Sequence, residues 1–338
     1  PLRLCEKHLR VAVFLAKTQR TRKGAETDRW SIPGCPCLTD LLLLSVPMLV
    51  QIGPRLPEWL RKPWRDPVAD HDVKRLMRSR SLHTVCESAR CPNRNECFSR
   101  GTATFMIGGN TCTRHCAFCS VPAGKPEAHD AIAGEPDQVA DAAAELALDY
   151  VVITAVARDD LADGGAEHFA RTIRAIRDRL PEARIEVLTP DFEGSEDSLR
   201  VVLEAEPHVF NHNIETVRRL SPKVRSRSDH DRSLAVLRRA GEIRPETLVK
   251  SGLMVGLGET RDEVHELLGE MREHGVRAVT IGQYLQPTRR NLAVSEFVHP
   301  DTFEAYREFG ESLGFEAVFS GPFVRSSYMA ESVFEARA

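Results

Sequence analysis

Six of the chain's nine cysteines fall between Cys86 and Cys119, and that crowding limits what the chain can become. A secreted scaffold built on disulfides is small and spreads its cysteines through the fold. This chain has 338 residues, enough for one large core or two modest ones, and its cysteine total is odd. Dense clustering in an otherwise ordinary composition, 42% hydrophobic and 28% charged, points to metal held in a reducing compartment. A net charge of −3 gives no general pull toward nucleic acid or an anionic membrane. Arg174, Arg177 and Arg179 alternate with apolar residues and read as the solvated face of a helix.

Cys112, Cys116 and Cys119 stand in NTCTRHCAFCS, a Cys-x3-Cys-x2-Cys spacing. Three thiolates on one loop can hold three irons of a cubane and leave the fourth without a protein ligand. An open position is what separates a reactive metal site from a closed structural one. Phe118, just before the third cysteine, is placed to shield such a cluster and lie beside a bound nucleoside. Zinc is the rival, but it normally takes four ligands in two Cys-x2-Cys pairs. Cys86, Cys91 and Cys97 form a second triplet, Cys-x4-Cys-x5-Cys, in a polar, proline-containing stretch that suits a loop around a cluster. Three partly buried free thiols are the bland alternative there. Cys5, Cys35 and Cys37 lie in a basic, irregular arm, and their pattern reads as incidental.

From Thr104 onward, strand-like apolar runs alternate with amphipathic helical runs. The strands are expected at 104–109, 150–156, 184–190, 208–214, 248–256 and 278–284. Helices are expected at 136–149, 165–180, 195–206, 231–243, 260–274 and 300–313, with Ser195 and Thr260 as N-caps. Six β/α units predict an α/β fold, a partial (β/α)6 TIM-like barrel with its chemistry on the loops after the strands. The expected organisation has four parts. Residues 1–50 form an irregular, disordered extension, whose apolar run Leu41–Val50 is too short to span a bilayer. Residues 51–103 form an N-terminal cap with one short helix near 70–80, and 104–314 form the barrel. Residues 315–338 supply a last strand and a tail, expected to fold back over the barrel mouth.

The two triplets, with an aromatic before the last cysteine and β/α units behind, resemble the lipoyl synthase family of radical S-adenosylmethionine enzymes. Further stretches carry the resemblance: TAVARDDLADGGA (154–166), VLTPDFEG (187–194), FNHNIETV (210–217), KSGLMVGLGE (250–259), GQYLQPTRRNL (282–292) and GPFVRSSYMA (321–330). It runs from about Pro54 to Ala330. Asn291 and Ala293 depart from the family's usual residues, and the first 50 residues match nothing in it. The resemblance implies a barrel of the radical S-adenosylmethionine type, two [4Fe-4S] clusters, and reductive cleavage of S-adenosylmethionine at the Cys112, Cys116 and Cys119 cluster. It implies that the resulting 5′-deoxyadenosyl radical takes hydrogen from C6 and C8 of a protein-bound octanoyl-lysine. Sulfur would come from the auxiliary cluster on Cys86, Cys91 and Cys97, with Ser327 of the RSSY motif as its fourth ligand.

The same resemblance places Phe118, Thr154, Arg158, Asn213, Glu215 and Lys250 near the methionine cofactor, and Arg325 beside the auxiliary cluster or substrate. Its implied partners are octanoylated lipoyl carrier domains (E2 subunits of 2-oxoacid dehydrogenases and the glycine cleavage H protein). It adds an electron donor such as ferredoxin or flavodoxin and a cluster-repair protein, with no nucleic acid and no membrane. The implied setting is cytoplasmic, or the mitochondrial matrix in a eukaryote. Another radical sulfur-inserting enzyme, such as a biotin synthase or methylthiotransferase relative, is the alternative; those place their auxiliary cysteines differently. A ferredoxin-like carrier needs closed clusters and no large barrel, and a zinc-dependent nucleic-acid binder would show a basic patch.

Overall fold

The computed structural model describes residues 56–62, 68–100, 103–328 and 330–335; the expected 1–50 extension lies outside them. From Leu56 the chain packs as one unit. The six expected strands all form: β2 (Thr104–Ile107), β3 (Tyr150–Ala155), β4 (Arg184–Leu188), β5 (Val209–Asn211), β6 (Leu248–Val255) and β7 (Ala278–Gln283). Two more flank them, β1 (His83–Thr84) and β8 (Ala317–Gly321). The sheet is ordered β1 to β8 in sequence; β1 pairs antiparallel with β2, and every later pair is parallel. β1 escapes a period-based reading because two residues carry no period, and it ties the segment of the second triplet to the barrel sheet.

Each expected helix is present: Glu135–Glu145, Ala166–Arg179, Glu196–Glu204, His230–Ile243, Arg261–Glu273 and Pro300–Ser312, with Val68–Ser79 ahead of the sheet. Ser195 accepts from the Ser198 amide, and Thr260 with Glu263 closes a full capping box.

Strand alternation splits the sheet into two surfaces. Phe105, Ile107, Val151, Ile153, Ile185, Val187, Phe210, Val249, Leu253, Val255, Val279 and Ile281 join one large apolar cluster with the helices. The alternate residues line the inner face, and they include the polar or small Glu186, Asn211, Lys250, Gly252, Thr280 and Gly282. At the strands' N-terminal ends this face turns apolar, and Val209, Leu248, Ala278 and Ala317 enclose Val333 from the tail. The tail therefore does not fold over the mouth as expected. It descends the inner face to the opposite end, because inner positions without bulk leave it room.

Candidate metal centres

The first triplet lies on the loop after β2, at the C-terminal ends of the strands. Neighbouring segments hold that loop by its backbone. Cys112 donates to Pro122 O (2.8 Å) and accepts from the Gly124 amide (2.9 Å), while Ala117 donates to Val224 O (2.9 Å). Backbone amides also point at the sulfurs: Arg114 N to Cys112 Sγ at 3.3 Å and Val121 N to Cys119 Sγ at 3.5 Å. Burial pushes the Cys119 thiol up to about 12, and the other two cysteines of the loop add to the shift. A thiol held up by burial is uncharged alone; bound iron would take the loop's cysteines as thiolates and neutralise the charge. Phe118 packs against the main core.

Asn291 reaches this loop directly. Its side-chain amide donates to Cys119 O (2.8 Å) and Ala117 O (3.3 Å), and the Leu292 amide adds a bond to Ala117 O (3.1 Å). An isolated Asn after a Pro-Thr turn carries no sequence signal of that role.

Beneath the loop is a charge network that the motif reading missed. Arg114 grips Asp159 through Nε and Nη2 (2.9 and 2.8 Å) and reaches Asp191 at 2.7 Å; Arg232 meets the other Asp191 oxygen at 2.9 Å. Asp191 is fully buried. Burial pushes its carboxyl up, but hydrogen bonds and charge from Arg114 and Arg232 outweigh that and hold it well below the usual range. Asp191→Ala leaves buried Arg114 without this carboxylate, and we predict a loss of about 3–5 kcal/mol in denaturant unfolding. A carboxyl depressed by folding stabilises above its unfolded pKa of about 4 and loses that contribution as pH falls through its folded value. Acid should accordingly destabilise the parent more steeply than Asp191→Asn, which unfolding at pH 7 and pH 3 would measure.

The second triplet lies at the other end of the strands. Cys86, Cys91 and Cys97 share a cavity of about 310 Å³ with Thr104, Tyr150, Val152, Arg325, Ser327 and Tyr328. Thr104 and Tyr150 begin β2 and β3, which places this cavity at the N-terminal ends. Thr84 caps the short helix bearing Cys86 by accepting from the Glu87 amide (3.3 Å). Burial pushes two of these thiols up, Cys86 to about 11 and Cys97 to about 12. Lys62 bonds Asn93 (2.5 Å) and Glu96 (2.8 Å) and lies over the Phe323 and Tyr328 rings at 4.7 and 5.1 Å. Asn93 in turn donates to Phe323 O at 2.7 Å.

Among the described residues no three His, Cys, Asp or Glu side chains converge as the ligands of a single metal ion. The second cavity nonetheless fits a polynuclear cluster in its donor set: three soft thiols and one hydroxyl line one partly open cavity.

The remaining expected residues divide between the two regions. Thr154 spends its hydroxyl on Leu188 O (3.0 Å). Buried Arg158 is occupied by Asp160 (2.9 Å) and by the carbonyls of Gly108 and Glu127 (3.2 and 3.1 Å). Asn213 donates to Glu215 (3.1 Å) and to Ser326 Oγ (2.6 Å), while its own carbonyl oxygen is buried without a protein partner, an acceptor left for a donor from outside. Glu215 is pushed up by burial, against the opposing charges of Arg225 and Arg325 and the Asn213 hydrogen bond. Lys250 faces inward, bonded to Glu186 and Ser326 O. Arg325 lines the second cavity, its guanidinium donating to Val324 O at 2.6 Å. Arg225, buried and close enough to Cys116 and Glu215 to feel their charge, was not visible from the motifs.

A family model of the Radical SAM superfamily matches residues 106–271. Curated lipoyl synthases align across most of both chains. The Symbiobacterium thermophilum protein is 56% identical over 82% of this chain and 86% of its own. That of Caldicellulosiruptor bescii is 53% identical over 82% and 94%, and that of Rubrobacter xylanophilus 51% over 82% and 86%. Streptococcus suis SuiB bound to S-adenosylmethionine superposes with a TM-score of 0.51 at 11% identity, over 68% of this chain and 54% of that one, which shows the shared fold alone. With a matching superfamily model and these likenesses over most of both chains, the chain belongs to the lipoyl synthase family of radical S-adenosylmethionine enzymes.

Proposed function

We propose that the protein inserts two sulfur atoms, at C6 and C8, into an octanoyl chain borne on a lysine of a carrier domain, forming lipoyl-lysine. The observation that carries this reading is Ser327 on the same cavity as Cys86, Cys91 and Cys97, a four-donor set in addition to the Cys112, Cys116 and Cys119 loop. Bound cubanes would supply, at the first loop, the electron and open iron for S-adenosylmethionine cleavage and, at the second, the sulfur.

The chain's own contribution is placement and dryness. Phe118 and the core behind it shield the first loop, and Asn291 fixes the loop's last turn. Asn213 offers its free carbonyl oxygen to an incoming donor at the strands' C-terminal ends. A reactive radical formed at the first loop needs bulk water kept out, and the packed core behind that loop contributes to this. The partners this implies are an octanoylated carrier domain, a one-electron donor and a cluster-repair protein, in the cytoplasm or mitochondrial matrix.

Iron and acid-labile sulfide after anaerobic reconstitution test the reading. About eight of each per chain are expected for two cubanes. With an octanoylated carrier domain and no repair protein, the yield should stop near one lipoyl group per chain. Zinc without sulfide, or sustained turnover with the second cluster intact, would overturn it.

A further inference from the structure

Three glycines, Gly252 in β6, Gly282 in β7 and Gly321 at the end of β8, fall on the inner face, with Gly282 paired to Gly321. A side chain at Gly282 would collide with Val324 O. One at Gly252 would press on Thr280 Oγ1 and come within 2.9 Å of Asn213 Oδ1 and 3.3 Å of Ser326 Oγ. The tail thus lies directly against bare backbone as it descends toward Val333.

Midway down stands Lys250, 1% exposed. Its ammonium donates to both Glu186 oxygens (3.0 and 3.1 Å) and to Ser326 O (2.7 Å). Glu186, fully buried, also accepts from Tyr150 (2.8 Å) and Asn211 (3.0 Å). A buried ammonium is costly unless its donors are satisfied. Four strands, β3 to β6, therefore converge to hold one cation, and the remaining acceptor of that cation is a tail carbonyl. The Ser326 oxygen and the Ser327 nitrogen share one rigid peptide plane, so fixing the first orients the second and the Ser327 side chain beyond it.

We propose that Lys250, braced by Glu186, is a positioning residue that latches the C-terminal tail inside the barrel and sets where the Ser327 oxygen lies in the second cavity. The cap grips the tail on either side, at Phe323 and Tyr328, and the barrel grips it between. The clause about Ser327 rests on the two-cluster reading above; the latch itself does not.

Hydrogen exchange across residues 321–328 tests the latch in the full chain, both reconstituted and stripped of iron. Lys250→Met combined with Glu186→Gln removes the charges together, so no unpaired ion is left behind. Gly282→Ala displaces the tail without touching either charge. Both variants should exchange about tenfold or more faster across the tail, the loss of one charged hydrogen bond or its equivalent in steric displacement. After reconstitution both should carry about four irons where the parent carries about eight, with the second cluster's electron paramagnetic resonance signal lost or shifted. Unchanged exchange in both variants, with or without iron, would overturn the latch whatever the clusters do. Faster exchange with eight irons and an unaltered signal would overturn the positioning of Ser327. A parent that itself takes up only four irons would sink the two-cluster reading, and the iron-free exchange would still judge the latch.

Discussion

Alanine at Cys112, Cys116 or Cys119 is expected to reduce 5′-deoxyadenosine formation to the level of an enzyme-free control, whereas alanine at all of Cys86, Cys91 and Cys97 should leave cleavage in place and abolish lipoyl product. The division follows from geometry. The first loop stands at the C-terminal ends of the strands, and the second cavity adjoins the N-terminal ends of β2 and β3. Emptying the second leaves the bonds from Pro122, Val224 and Asn291 around the first untouched. The assay uses reductant, S-adenosylmethionine and an octanoyl peptide, with iron counted in each variant. Loss of cleavage in a triple variant that still carries the first cluster would contradict the division.

The second large effect is expected at Ser327. A hydroxyl oxygen is a harder ligand than thiolate and a poorer partner for an iron–sulfur core. Replacing it with a thiolate closes the second cavity with four soft donors. Ser327→Cys should therefore keep its iron, still cleave S-adenosylmethionine, and fail to deliver sulfur. Ser326→Ala should be milder, since it removes the hydroxyl bonded by Asn213 and keeps the carbonyl bonded by Lys250. Product is read by mass spectrometry of the peptide, and iron by chelation. Wild-type yields from both Ser327→Ala and Ser327→Cys would remove Ser327 from the ligand set.

Much of the fold was legible because local patterns and tertiary demands agree. Strand-like apolar runs became β2 to β7, and amphipathic segments with Ser195 and Thr260 at their starts became helices at nearly the expected boundaries. The cysteine spacings were equally readable: Cys-x3-Cys-x2-Cys places its three cysteines on one loop by its own length. β1 was hidden by its length, and its pairing with β2 is a choice the rest of the sheet makes.

The sequence by itself determined the alternation of strands and helices, the two triplets and the RSSY tail, since each depends on neighbours a few residues apart. Only the tertiary structure decided that the triplets stand at opposite ends of the strands, that the tail runs inside the barrel, and that Lys250 faces Glu186 and Ser326. It also decided that Asn291 supports the ligand loop. The physical reason is register: which polar side chains meet on an inner face depends on how strands far apart in sequence align, and a one-residue slip would turn Lys250 outward into the apolar layer.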